Sequence, residues 1–171
     1  MPATSETQFV GPYFLGADCG SGSIRVAIVD VHGRIVSKAT RDIETYNPSN
    51  DFYEQSSDEI WGKFVLATKE VLESSKIDPA NIKGIGFDAT CSLVVLDDQN
   101  EPLSISAKRR RGGKVWNIIM WRDHRASLEA EEINATNHEV LRYVGGKVSV
   151  EMQIPKLMWI KRHHKPLGLR G

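Results

Sequence analysis

The residues best suited to chemistry lie in DCGSGSIR, positions 18–25, between two apolar alternating runs. Gly20 and Gly22 permit positive φ and close backbone approach, and successive N–H groups in such a turn form an anion-binding concavity to which Ser21 and Ser23 add hydroxyl donors. Asp18 ends the first run, where it suits a magnesium ion held through water, because magnesium sheds its hydration reluctantly. Arg25 suits a phosphate oxygen. The same residues also make a plain hairpin turn in which Asp18 accepts turn N–H groups, and the segment by itself leaves both readings open. A P-loop is excluded because no GK[ST] follows, and a Rossmann turn because neither a third glycine nor a helical period follows.

Two strands must carry this turn. Residues 13–18 and 24–30 read as strands, with Ile24, Val26, Ile28 and Asp30 alternating with Arg25, Ala27 and Val29. VHGR at 31–34 turns the chain into a third strand through Ile35 and Val36, completing an antiparallel meander. In SSDEIWGKFVLATKEVLESS, Ser56 and Glu59 form a capping-box signature, and Ile60, Phe64, Ala67 and Val71 share one helical face. After Asp78 and Pro79, IKGIGFDAT at 82–90 reads as a buried strand, and SLVVLDDQNEPL as another strand with a turn. NIIMW at 117–121 predicts a further strand, and Asp123 is a candidate N-cap for a helix through DHRASLEAEEINA. Asn137 and the Gly145–Gly146 pair bracket one short helix, and Pro155 suits the first turn of another through KLMWIK. Trp61, Trp121 and Trp159 fit core packing. Residues 1–12 read as a loose tail.

Composition narrows the classes. With 171 residues and 40% hydrophobic content, the chain can bury a sizeable core. Lys plus Arg and Asp plus Glu balance at 22 each, which gives no reason to expect a nucleic-acid or membrane-surface partner. Cys19 and Cys91 form no CxxC pair, against a zinc site or a disulfide framework and in favour of a reducing, cytoplasmic location. No apolar run approaches the roughly 20 residues of a membrane span. Oligomeric state leaves no mark on the sequence.

In order along the chain, DCGSGSIR, EQSSDEIW (54–61), GFDATCSLVVLD (86–97), MWRDHRA (120–126) and GGKVSVEMQIPKLMWI (145–160) resemble the N-terminal part of the FGGY carbohydrate kinases. Their ribulokinase-like branch is the most similar. The resemblance implies an α/β fold, the ribonuclease-H-like N-terminal domain of the actin, hexokinase and sugar-kinase superfamily. That partial domain would span 13–160, with a basic insertion at 107–116 and a divergent tail at 161–171. It also implies ATP and Mg2+ as cofactors and a small sugar, a ketopentose such as D-ribulose, as substrate. Gly20, Ser21, Gly22, Ser23 and Arg25 would then meet the ATP phosphates, with Asp18 near magnesium. Asp88, Ala89, Thr90, Cys91, Asp123 and Glu151 would fall in the sugar cleft.

Several residues keep a second reading. Glu151 also reads as a solvated loop carboxylate, Asp123 as a helix cap with Arg125 in a structural ion pair, and Cys91 as a buried, inert thiol. His163 and His164 read as a solvated tail. In the family the catalytic base follows the segment matched here, so the chain is expected to be a truncated form with little kinase activity of its own. A competing reading is a non-catalytic binding or regulatory module using KRRRGGK, 108–114, as an acidic-partner or nuclear-import patch. An actin-like or chaperone ATPase sharing only the hairpin is a third, against which DATCS and WRDHR stand.

Overall fold

The computed structural model describes residues 9–106 and 113–163. In chain order its elements are β1 Tyr13–Cys19, β2 Ser23–Val29, β3 Ile35–Asp42, β4 Glu54–Gln55, α1 Ser57–Ser75, β5 Ile82–Ala89, β6 Leu93–Val94, β7 Ile118–Ile119, α2 Ser127–Ala135 and α3 Gln153–His163. They form two compact units, one of the residues up to Ile43 with Ile60–Thr90, the other of Glu44–Glu59 with the residues from Cys91 on.

In the first unit β1, β2 and β3 make the expected antiparallel meander, and β5 adds to β1 in parallel, giving the order β3-β2-β1-β5. A parallel neighbour requires a crossover, and the intervening chain contains α1. Strand alternation turns Leu15, Ala17, Ile24, Val26 and Ile28 to one face, where they pack on Phe64, Ala67 and Val71 of the helix. At the end of β2 the buried Asp30 carboxylate accepts from the N–H groups of His32 and Arg34 at 2.9 and 3.0 Å and from Arg34 Nε at 2.8 Å. It thereby closes the 31–34 turn.

Two expectations fail here. β5 is an edge strand and is not buried: Ile85 is 58% and Phe87 64% exposed. A short apolar run with glycines reads the same however well it is covered, and here the contact of Phe87 with the Phe64 ring of α1, centroids 5.2 Å apart, leaves most of the strand exposed. Trp61 is likewise 62% exposed and meets the Phe64 ring at a tilt of 37°, with centroids 5.2 Å apart, so it contributes little to the core.

In the second unit three two-residue strands pair antiparallel in the order β4-β7-β6. Buried Asn117 joins them to the start of α1, its Oδ1 accepting from Ser57 N at 3.0 Å while Nδ2 donates to Ser57 Oγ at 3.0 Å and Val95 O at 3.1 Å. Ile105, Ile119 and Ile160 form a small core with Leu93, Val95 and Trp159. The helix expected behind Asp123 is α2, but its N-cap is Ala126 and no side chain caps it. A 3-10 helix at Glu139–Val144 ends on Gly145 with φ 77°, in the place that Asn137 and the glycine pair mark. α3 continues through Arg162 and His163, two residues beyond the KLMWIK run read from sequence, and His163 stacks on Trp159 with centroids 4.7 Å apart.

Candidate functional site

Because β1 and β2 bury alternate residues against α1, the residues between them share the opposite face of the sheet. Strand register aligns Asp88, Asp18, Arg25 and Thr40 in one row across β5, β1, β2 and β3, and Gly86, Gly16, Ala27 and Lys38 in the next. These residues line a cavity of about 620 Å3. A Cβ added at Gly16 or Gly86 would meet nothing within 4 Å, so the glycines widen it. Arg25 Nη1 lies 2.9 Å from Asp18 Oδ2, with both side chains about half exposed. The Thr90 N–H donates to Cys19 O at 3.1 Å, which prolongs the β1–β5 pairing beyond Ala89. Burial, reinforced by the Asp18 carboxylate, pushes the Cys19 thiol up from its ordinary value.

The hairpin turn differs from expectation in one respect. Neither Gly20 nor Gly22 is among the positive-φ residues. The Gly20 N–H closes the turn on Ser23 O at 3.0 Å, and the Gly22 carbonyl accepts from Ile43 N at 2.9 Å. Glycine at 20 instead provides clearance, since a Cβ there would sit 3.3 Å from Arg25 Nη2 and 3.4 Å from Ser23 O. At Gly22 a Cβ would meet open space, so a ligand can approach the backbone there.

In the second unit Asp123 is fully buried. It accepts from Tyr53 N at 2.7 Å and Arg125 N at 3.0 Å, and it grips the Arg125 guanidinium, Nη2 to Oδ2 at 2.7 Å. The ion-pair reading is thus observed, and the helix-cap reading is replaced by a turn in which this carboxylate ties its own loop to Tyr53. Arg125 also donates to Glu54 Oε1 at 3.0 Å and lies over the rings of Phe52 and Trp159 at 4.2 and 5.0 Å. Burial pushes the Glu54 carboxyl up from its usual value despite Arg125. Cys91 is exposed, contrary to expectation, because it follows the end of β5 in an irregular segment; its carbonyl accepts from Gln153 Nε2 at 2.6 Å. Glu151 is half buried, with Oε1 3.5 Å from His124 Nε2.

The first unit therefore brings Asp18, Arg25 and Asp88 to one cavity beside the Gly20–Ser23 turn, with Ala89 and Thr90 at the end of β5. Cys91, Asp123 and Glu151 belong to the second unit. Lys38 and Thr40 were missed, although β3 parity would have found them had the strand been read as its full eight residues. Glu54 and Lys156 were missed as well, and both are types that usually face solvent. Of the basic insertion, residues 107–112 lie outside the described residues. Lys114 pairs with Glu44 at 2.5 Å and Glu59 at 3.1 Å.

The layering and the phosphate-suited hairpin define a class, the sugar-kinase fold of the actin and hexokinase type. Solved structures agree: xylulose kinase from Rhodospirillum rubrum superposes with a TM-score of 0.77 at 21% identity, over 91% of this chain and 30% of that one. Plasmodium falciparum glycerol kinase with ADP does so at 0.74 and 19%, over 95% and 31%. The sequence goes further. Residues 13–168 match the N-terminal domain of the FGGY family of carbohydrate kinases, and the chain belongs to that family. It is 51% identical over 151 residues to an FGGY carbohydrate kinase domain-containing protein of Xenopus laevis, covering 88% of this chain and 26% of the relative. It is 42% identical over 163 residues to a D-ribulokinase of Saccharomyces cerevisiae, covering 95% and 22%. The chain thus spans about a quarter of the length of these curated relatives.

Proposed function

We propose that the chain forms the phosphate- and sugar-contacting part of an ATP-dependent kinase that phosphorylates a hydroxyl of a ketopentose such as D-ribulose. The observation that carries the reading is the row Asp88, Asp18, Arg25 and Thr40 beneath the cavity, in a chain 42% identical to a D-ribulokinase. Arg25 and the Gly20–Ser23 turn meet the phosphate oxygens. Asp18 and Asp88 present exposed hard oxygen donors, which fit a hydrated Mg2+, and that ion would offset the charge of the phosphates. Asp88, Ala89, Thr90, Cys91 and Glu151 contact or shape the space around the sugar hydroxyls. Asp123, with both oxygens engaged, acts indirectly by fixing Arg125 and the Tyr53 backbone.

No residue of the chain is assigned as catalytic base; the resemblance puts that aspartate outside the matched segment. Both cysteines are free thiols, which supports a reducing, cytoplasmic location. Calorimetric titration of the chain with D-ribulose, D-xylulose and glycerol tests the sugar assignment. D-ribulose is expected to bind most tightly; equal affinities, or no heat from any of them, would contradict it.

A further inference from the structure

Lysine is among the residues least often found fully buried, because an ammonium inside a protein needs partners. Lys156, in the first turns of α3, is 1% exposed. Its Nζ donates to the carbonyls of Met120 at 2.8 Å, Trp121 at 2.9 Å and Glu151 at 3.1 Å. An ammonium has three N–H donors, so these carbonyls employ its full capacity.

The acceptors come from two separate stretches of backbone. Met120 and Trp121 lead from β7 into the Asp123 turn, whereas Glu151 precedes α3. Other bonds gather at the same place: Trp121 N donates to Ser92 Oγ at 3.2 Å, and Gln153 Nε2 to Cys91 O. Lys156 therefore stands where the segments bearing Cys91, Asp123 and Glu151 meet. Without it, carbonyl dipoles from both stretches would converge on one buried point with nothing to bind them.

We propose that Lys156 is a positioning residue, whose ammonium fixes the spacing of the Met120–Trp121 backbone from the Glu151 backbone and so the placement of the side chains that meet the ketose. The consequence for the sugar rests on the ketopentose reading above; the clamp itself rests on the three bonds.

Nuclear magnetic resonance of the labelled 171-residue chain tests it. In Lys156→Met the carbonyl 13C resonances of Met120, Trp121 and Glu151 are expected to move, while those of Leu15 and Ile28 stay. D-ribulose affinity is expected to fall roughly tenfold, equivalent to about 1.4 kcal/mol of lost contact. Unmoved carbonyls, or an unchanged affinity in a folded variant, would overturn the proposal. Should the variant not fold, the wild-type ammonium decides: a slowly exchanging Lys156 1H–15N signal at neutral pH supports the clamp, and exchange as fast as that of an exposed lysine refutes it. If the wild-type chain gives no response to D-ribulose, the ketose reading fails, whereas the carbonyl and ammonium results still decide the clamp.

Discussion

Asp30 and Asp18 both lie on β1–β2 strand ends, yet their surroundings assign them opposite tasks. Burial by itself would raise the Asp30 carboxyl, but the Arg34 guanidinium and the N–H groups of Arg34, His32 and Val10 outweigh it and hold it well below the usual carboxylate range. A folded value below the ordinary 3.8 means that Asp30 adds stability above that pH and loses it as pH falls through 3.8 and lower. Asp30→Asn should therefore lower the unfolding midpoint at neutral pH, and its deficit against wild type should shrink on acidification; a deficit independent of pH would contradict this. Asp18 and Arg25 are half exposed, and a pair of that kind contributes at most about 1 kcal/mol. Arg25→Ala should thus leave chemical denaturation almost unchanged while abolishing any stabilisation by Mg-ATP. Arg125 differs again, since removing it strands Glu54 and Asp123 as buried carboxylates. Arg125→Met should cost about 3–5 kcal/mol in urea unfolding, and a loss below about 1 kcal/mol would show that these charges are solvated. The sequence left Asp123 open between a sugar-facing residue and a helix cap with Arg125 in an ion pair; the ion pair is present and the cap is not, because an aspartate shortly before a helical pattern looks alike whether it caps or ties a turn.

Exposure separates elements that the apolar pattern alone treats as equal. Ile28 of β2 is fully buried, whereas Phe87 of β5 is 64% exposed although it touches Phe64. Ile28→Ala should cost about 2–5 kcal/mol, and Phe87→Ala much less, under about 1.5 kcal/mol. Comparable losses in denaturant titrations would mean that β5 is covered in solution. The alternation through Ile24, Val26, Ile28 and Asp30 and the Ser56–Glu59 signature located β2 and α1 within a residue, since long periodic elements advertise themselves. β4, β6 and β7 have two residues each, too few for a period. β4 had no strand signal at all, and what holds its sheet is tertiary, above all the Asn117 amide. The burial of Lys156 was equally invisible, since its partners are backbone carbonyls that carry no sequence signature.

At the scale of the whole chain, the proposed function requires that the hairpin and the segments beyond it form folded binding surface for nucleotide phosphate and ketose. The chain covers 22–26% of the yeast and Xenopus relatives, so binding by this chain is the property to measure, ahead of turnover. A ligand that binds only the folded state raises stability by RT ln(1 + [L]/Kd), about 2.7 kcal/mol at a hundredfold excess over Kd. The most direct measurement is thermal unfolding of the purified chain alone, with Mg-ATP, and with D-ribulose. A cooperative transition whose midpoint rises with each ligand and then saturates is the expected result; a transition unmoved by either ligand at millimolar concentration would contradict the claim.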